Sequence, residues 1–326
     1  MICPICKSHD TFFFAEKKSY IFYRCVSCKS LYLTSIPPEK QLSTYYSRQF
    51  SYTDGLVNET IIRRRSTIIL TKLRHLSPYS GSICDVGSGY GFFLDQAQKN
   101  GFKVLGIEPS KQLVDYACSH FSIPSFKGTL ADYLHSDPKQ FDIVTCIHVL
   151  EHITHPDIFI SNLLRLVKPG GILFIETPNS DSHLLYAEKH NYTFLIPPEH
   201  VWLFSRYSFI YLLPKTTDIV YVNTYSYSEH LMGILKKMKD DIHRVILSDS
   251  VYIRRIYIGR SFGLSPQDDS RASSRMIQKN NIYKIGSAIR KNFSYFLIDR
   301  LLAPLFTGIL NVYHKGSILE LYIRKK

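Results

Sequence analysis

Long apolar runs are missing from this 326-residue chain. None reaches the roughly 18 uninterrupted apolar residues that a membrane-spanning helix needs. An apolar leader is missing too, because Cys3 and Cys6 interrupt the stretch where one would lie. Both absences lead to the expectation of a cytoplasmic protein, soluble or peripheral on the cytoplasmic membrane face. Acidic residues are scarce beside basic ones, 27 Asp+Glu against 40 Lys+Arg, for a formal charge of +13. The imbalance is uneven: residues 228–326 hold 18 Lys+Arg and only 8 Asp+Glu. Such a basic region suits an anionic partner, either lipid headgroups or a phosphorylated substrate carrier. A solvated basic face is the plainer alternative. Tryptophan is nearly absent, with Trp202 alone. The dinucleotide fingerprint G-x-G-x-x-G is absent as well, since the one glycine-rich turn is spaced G-x-G-x-G. What remains is an ordinary globular composition, 45% hydrophobic, long enough for one large domain or two smaller ones.

The stretch SICDVGSGYGFFL, residues 82–94, organises the chain. Residues 83–86 read as a short buried strand. Gly87, Ser88, Gly89, Tyr90 and Gly91 form a turn, and a helix begins at Phe92. Glycine tolerates positive φ and lets a ligand approach the backbone closely. The helix start behind the turn offers unpaired N–H groups. The next strand, residues 103–107, ends in Glu108-Pro109. An acid about 20 positions after a glycine turn is placed to accept hydrogen bonds from ribose hydroxyls. Asp85, just before the turn, is placed either to orient it or to meet a ligand ammonium.

Strand and helix then alternate. Ser110 reads as the N-cap of a helix to about residue 120. Residues 124–127 are a short strand, 130–135 a short helix, and 141–147 an unbroken apolar strand of the kind covered on both faces. Residues 156–166 form an amphipathic helix, stopped by Lys168-Pro169-Gly170-Gly171, and 172–176 a further strand. A helix over 206–213 and strands over 218–225 and 317–325 complete the pattern. Alternation of this kind predicts an α/β doubly wound sheet with its ligand at the carboxyl ends of the strands, where Gly87, Glu108 and His148 fall.

The N-terminus carries Cys3, Cys6, Cys25 and Cys28 as two C-x-x-C pairs. Two such pairs, 18 residues apart, fit a structural zinc ribbon, and the metal would supply the folding energy of so small a segment. Disulfides are the alternative, disfavoured in a cytosolic setting. Cys84, Cys118 and Cys146 read as buried core thiols. The ribbon's Lys7, Lys17, Lys18, Arg24 and Lys29 interleave with Phe12, Phe13, Phe14 and Tyr20, a composition also used for nucleic acid. The charge is modest, however, and nucleic acid is not the expected partner.

The stretches DVGSGYG, GIEPS, FDIVTCIHVLEHITHP and LVKPGGILFIETPN run in order over residues 82–179. In them the chain resembles class I S-adenosylmethionine (SAM)-dependent methyltransferases. The resemblance implies a Rossmann-like, seven-stranded methyltransferase sheet. It implies that Gly87, Gly89 and Gly91, with Tyr90 between them, line the methionine end of the cofactor. Glu108, with Pro109 behind it, would hold the ribose. Thr129 or Leu130 would flank the adenine, and Ile147 and His148 the other side. Residues 41–55, rich in tyrosine (Tyr45, Tyr46, Tyr52), would fold over the cofactor as a lid or else pack the ribbon on the main domain.

The expected organisation is a zinc ribbon (1–36), a lid and linking helix (37–77), a SAM-binding core (78–227), a basic helical insertion (228–316) and a final core strand (317–326). The insertion carries an apolar run, residues 301–312, flanked by Arg290, Lys291, Arg300 and Lys315. It would dock on an anionic membrane or pack as a helical element. For chemistry, a hydroxyl acceptor must lose a proton. His148, Glu151, His152, His183 and His200 are the candidates. His200, in the aromatic segment PPEHVWLFS taken as a substrate wall, is the first choice, with His148 second. Some quinone O-methyltransferases that resemble this chain place a metal near an acid-x-x-Glu-His run. Here His148 occupies the acid's position, which argues against a catalytic metal. A ribbon ahead of such a domain resembles bacterial enzymes of surface-glycan biosynthesis, so a sugar or glycan precursor is the expected acceptor. A quinone-like small molecule is the alternative, and a SAM-binding regulator with a nucleic-acid-binding ribbon the third reading.

Overall fold

The computed structural model describes residues 1–36, 38, 59–77, 81–226 and 313–326. The lid tyrosines Tyr45, Tyr46 and Tyr52, and nearly all of the 228–316 insertion with its apolar run, lie outside the described residues. Three short antiparallel strands open the chain: β1 (Thr11–Lys17), β2 (Tyr20–Cys25) and β3 (Leu31–Leu33). Helix α1 (Glu59–Leu76) leads into β4 (Ser82–Val86), α2 (Phe92–Lys99), β5 (Lys103–Glu108), α3 (Lys111–Phe121), β6 (Ser125–Lys127) and α4 (Leu130–Leu134). Then come β7 (Phe141–Ile147), α5 (Pro156–Leu166), β8 (Val167–Pro178), α6 (His183–Glu188), the two-residue strand β9 (Trp202–Leu203), α7 (Phe209–Leu212), β10 (Thr217–Tyr225) and β11 (Ile318–Lys325).

The main sheet has seven strands in the order β10-β11-β8-β7-β4-β5-β6. Strands β4 to β8 run parallel, and β11 lies antiparallel between β8 and β10. The seven-stranded Rossmann-like sheet expected from the alternation is therefore present, and its last strand is the reversed one. Period-two alternation sends Ile83, Ile143, Ile172 and Phe174 to one face. There they meet Ile69, Leu70 and Leu73 of α1 and Phe93, Leu94 and Ala97 of α2. Cys84, Val144, Cys146, Leu173 and Ile175 point the other way, against Leu130, Tyr133 and Leu134 of α4 and Ile160, Leu163 and Leu164 of α5. Both faces are covered, which is why β7 reads as a continuous apolar run.

Local differences have local causes. In α1, Ile62 shares helical spacing with Ile69, Leu70 and Leu73, but Ile62 is exposed. Ser66 is buried instead, with its Oγ donating to the Ile62 carbonyl at 2.7 Å. The Lys168-Pro169-Gly170-Gly171 stop is taken into β8. Pairing with β7 breaks after Phe141↔Val167 and resumes at Ile143↔Ile172, so these four residues bulge out of the ladder. Ser110 caps α3 without a side-chain bond. The helix expected over 206–213 is only the short α7.

The ribbon gains a fourth strand from far along the chain. β9 pairs antiparallel with β3, through Tyr32↔Trp202 and Leu31↔Leu203. Trp202 is 2% exposed, packs against Tyr32 and Phe204, and donates its Nε1–H to the Ile153 carbonyl at 2.9 Å. It is a packing residue between ribbon and sheet rather than part of a substrate wall. Cys3, Cys25, Cys28, Tyr32, Trp202, Phe204 and Phe209 join the same apolar cluster as α4 and α5.

Candidate functional site at the carboxyl edge of the sheet

The glycine turn is pinned to the end of β5: Gly87 N–H donates to the Ile107 carbonyl at 2.8 Å. Gly87 has φ +79°, and a Cβ there would lie 2.3 Å from Val149 Cγ2. Only glycine fits. Gly89 has φ +52°, and a Cβ there would meet no heavy atom within 4 Å, so the turn faces open space at that point. Its N–H donates to Glu108 Oε2 at 3.0 Å, and the Ser110 N–H donates to Glu108 Oε1 at 2.9 Å. Each carboxylate oxygen keeps a lone pair for a further donor. Burial raises the Glu108 pKa, and the two N–H bonds oppose the rise. The turn and the acid, 19 residues apart, are thus one unit at the carboxyl edge.

The neighbouring candidates are placed as follows. Asp85 is buried and accepts the Thr145 hydroxyl at 2.6 Å. Burial pushes its pKa up to about 7 against that bond. The Tyr90 ring stacks on Phe92 at 5.5 Å and meets Tyr116 edge-on at 5.0 Å, so it packs against α2 and α3. Gly91 caps α2, and Pro109 links Glu108 to Ser110. Thr129 caps α4 in a reciprocal box with Asp132, and Leu130 is buried in the α4 face. Ile147 ends β7 half-buried.

Next to it, His148 is held between two carboxylates. Its Nδ1 is 3.2 Å from Glu151 Oε1 and its Nε2 is 3.3 Å from Glu176 Oε1. Burial works against the charged ring, but the bonds and charges of Glu151 and Glu176 outweigh it and raise the pKa well above the usual histidine value. Burial likewise opposes the ionised Glu151, yet His148 and the nearby His152 bring it down to about 2. With both nitrogens protonated, His148 is a donor and a fixed cation. It does not serve as the proton acceptor for which it was the second choice. Glu176 continues the chain to Arg65 of α1 at 3.4 Å. Arg65 also pairs with Glu320 of β11 and lies over the Tyr225 ring at 3.7 Å.

His200 has the opposite character. It is 6% exposed, and its Nδ1 lies 2.6 Å from the Phe194 carbonyl. A carbonyl only accepts, so Nδ1 carries the proton and Nε2 the lone pair. Burial, then the charge of His152, lowers its pKa to about 4. Phe194 lies between the two histidines, nearly parallel to both, with centroids 6.4 Å from each. His152 Nδ1 donates to the Glu199 carbonyl at 3.0 Å. Glu151, His152 and His200 each present one donor atom within 4.8 Å of the others, a set whose chemistry fits a metal ion. Reading the sequence as acid-x-x-Glu-His missed this set, because His200 joins it from 48 residues beyond His152. His183, another candidate base, opens α6 outside this cluster.

In the ribbon, Cys3 and Cys28 sulfurs are 3.6 Å apart and those of Cys6 and Cys25 3.5 Å. All four lie within 4.8 Å of one another, and all seven cysteines are free. Four thiolates around one zinc at 2.3 Å stand about 3.8 Å apart, so the set fits that ion. Two of the ribbon's cations face the sheet, while Lys7 and Lys18 are exposed. Arg24, 3% exposed, donates to the Ser180 carbonyl at 2.7 Å and to Tyr186 Oη at 2.6 Å, and Lys29 pairs with Asp181 at 3.1 Å.

Residues 61–216 match the profile of a family described as a methyltransferase domain. By that match, just under half of the chain is similar to a methyltransferase domain. A ubiquinone biosynthesis O-methyltransferase of Coxiella burnetii is 36% identical over 101 residues, which span 30% of this chain and 43% of that protein. The namesake of Rickettsia bellii is 28% identical over 211 residues, 60% of this chain and 85% of the relative. Among solved structures, a SAM-dependent methyltransferase of Archaeoglobus fulgidus is 19% identical with a TM-score of 0.45, covering 85% of this chain and all of the other, at 100%. The plantazolicin methyltransferase BamL, in complex with a substrate analogue and S-adenosylhomocysteine, is 15% identical with a TM-score of 0.45 over 89% of this chain and 91% of that one. The matched residues include the glycine turn, Glu108, His148 and His200. No helix among the described residues is long and apolar enough to cross a membrane.

Proposed function

We propose that this protein is a SAM-dependent methyltransferase acting on a hydroxyl of a small-molecule acceptor. The observation that carries it is the junction of Gly89 and Glu108, where a buried carboxylate with free lone pairs borders open space above the glycine turn. When bound, SAM supplies an electrophilic methyl group on a sulfonium. Gly87, Gly89 and Gly91 leave room for its methionine end, and Glu108 accepts from its ribose. Thr129 or Leu130 borders the adenine, Ile147 and His148 the opposite side, and Asp85 steadies the turn through Thr145. His200 takes the acceptor's proton at Nε2, with Nδ1 anchored to the Phe194 carbonyl. The imidazolium of His148 fixes the local charge. The four N-terminal cysteines hold one structural zinc ion. A metal ion held by Glu151, His152 and His200 would occupy that same His200 Nε2, so the base role excludes it.

The relatives' names favour a quinone-type phenol as acceptor. The glycan acceptor expected from the ribbon and the PPEHVWLFS segment draws no support from them. Membrane docking by residues 228–316 rests on their basic excess and apolar run, and flotation with anionic vesicles tests it. A nucleic-acid role for the ribbon is disfavoured because Arg24 is buried where the ribbon docks.

Calorimetric titration with S-adenosylhomocysteine tests the central reading. Glu108→Ala should weaken binding by about 1.5–3 kcal/mol, the worth of hydrogen bonds to a charged group. Unchanged affinity would remove Glu108 from the site. Absence of turnover of labelled SAM with both polar and lipid-soluble extracts would sink the activity itself.

A further inference from the structure

Where the ribbon meets the sheet, three cations crowd one carboxylate, and a fourth, Arg206, shares the Tyr207 ring with one of them. Arg24 comes from β2, Lys29 follows the second cysteine pair, Arg206 follows β9, and Lys315 precedes β11. Asp181 is 2.8 Å from Lys315 Nζ, 3.1 Å from Lys29 Nζ and 3.7 Å from Arg24. Buried Arg24 is enough to neutralise it. The side chains of Lys29 and Lys315 are 33% and 25% exposed, so both ammonium groups add charge that docking does not need. Arg206 pairs with no carboxylate among the described residues. It donates to Tyr207 Oη at 2.8 Å and lies 4.8 Å from that ring's centroid, while Lys29 Nζ lies 4.7 Å from the same centroid.

The four cations therefore exceed Asp181 by three charges, an excess that the proposed four-thiolate zinc site beside Lys29 offsets only in part. Like charges this close and partly shielded from water repel one another, and an anion would relieve the repulsion. Two lysines as point charges beside an arginine fork are the chemistry that holds phosphate groups. The position also fits the proposed reaction. Asp181 follows the carboxyl end of β8, and Lys315 precedes the start of β11, which pairs Ile318 with Pro178. This is the edge of the sheet that carries Gly89, Glu108 and His148.

We propose that the Lys29, Arg206 and Lys315 patch binds a phosphate or diphosphate group carried by the methyl acceptor. Only the word acceptor rests on the methyltransferase reading; the anion site stands on its own geometry. The test uses the full chain at low salt, with inorganic pyrophosphate, uridine 5′-diphosphate and phosphatidylglycerol vesicles as probes. S-Adenosylhomocysteine is titrated in parallel. The expected result is saturable diphosphate binding that weakens at least tenfold in the double variant Arg206→Gln, Lys315→Gln, with the thermal midpoint and S-adenosylhomocysteine affinity retained. Tighter binding of the nucleotide than of pyrophosphate assigns a nucleotide-linked group. Vesicle binding that is lost in the variant assigns a lipid-borne one. If the double variant is unstable, Arg206→Gln alone, which breaks no ion pair among the described residues, should still weaken binding about threefold. Failure of all three probes to bind, or equal binding by the variant, overturns the site. If pyrophosphate binds but S-adenosylhomocysteine does not, the methyltransferase reading falls and the anion site survives.

Discussion

The two halves of the carboxyl edge are built in different ways. The half at β4 and β5 is local: Gly87, Gly89, Glu108 and Ser110 lie within 24 residues and are joined by backbone N–H groups. The half at β7 and β8 is assembled from side chains far apart in the chain. Glu151, His148, Glu176, Arg65 and Glu320 form one series, and Arg24, Lys29, Asp181 and Lys315 another. Backbone donors on a fixed turn need little support from elsewhere. Buried charges need partners, because an unpaired one is costly. A change in the local half should therefore alter ligand affinity with little effect on stability, whereas a change in the assembled half should alter both.

The largest expected effect falls on the proposed zinc site of the ribbon, which packs against the assembled half. Cys28→Ser should abolish stoichiometric zinc by elemental analysis and, with it, the order of β3 and β9. Metal binding of this kind is worth about 10–16 kcal/mol. Trp202 fluorescence should shift to the red as its Tyr32 and Phe204 contacts open. Full zinc content with unchanged fluorescence would refute a four-cysteine site.

His200 comes next. His200→Ala should slow turnover about 10²–10⁴-fold while leaving S-adenosylhomocysteine affinity intact. A fully active variant would reduce His200 to a packing residue. Because burial holds its pKa near 4, the wild-type rate should show no histidine inflection near pH 6.5 and should fall only in more acid solution.

Arg24→Ala should cost about 3–5 kcal/mol of stability in urea denaturation, since it unmakes a buried ion pair and leaves the Ser180 carbonyl and Tyr186 hydroxyl without their donor. A loss below 1 kcal/mol would mean that Lys29 and Lys315 alone suffice for Asp181.

The same histidine gives a pH test of stability. The folded pKa of His200 is depressed from 6.5 to about 4. Between those values the unfolded chain binds a proton that the folded chain does not. Its contribution is therefore intact above pH 6.5 and is lost as pH falls toward 4, by up to about 3 kcal/mol at 1.36 kcal/mol per unit. His148 has the opposite sign, with stability present below pH 6.5 and lost as pH rises through its elevated folded value. Urea midpoints of His200→Gln should fall less steeply than wild type between pH 6.5 and 4. Parallel curves would contradict the buried neutral ring.

The smallest effect sharpens the comparison inside the local half. Gly89→Ala places a methyl in open space at positive φ, at a backbone cost of about 1–2 kcal/mol. It should weaken S-adenosylhomocysteine binding more than it lowers the thermal midpoint. Gly87→Ala, whose methyl meets Val149, should do the reverse.

The local half was legible in the sequence because its geometry is written in neighbouring residues. Glycine spacing marks the turn, and the acid closing β5 marks the carboxylate that bonds to it. The cysteine pairs were legible for the same reason. In the assembled half, the sequence named His148, Glu151, His152 and His200 without their states. One histidine is charged between two carboxylates and the other is neutral against a carbonyl. The difference comes from Glu176 and Phe194, which no spacing rule ties to them. Trp202 looked like a wall residue because it stands among aromatics and prolines; pairing with β3 made it core.

By itself the sequence determined the alternation of β and α elements, the apolar strands covered on both faces, the glycine turn with Glu108, and the four cysteines. These follow from side-chain period and backbone allowance, which act over a few residues. Only the tertiary structure decided that residues 202–203 complete the ribbon, that Arg65 joins Glu176 to Glu320, and that three cations gather around Asp181. Those are outcomes of burial: charges taken out of water must find partners wherever the fold brings them, whatever their distance along the chain.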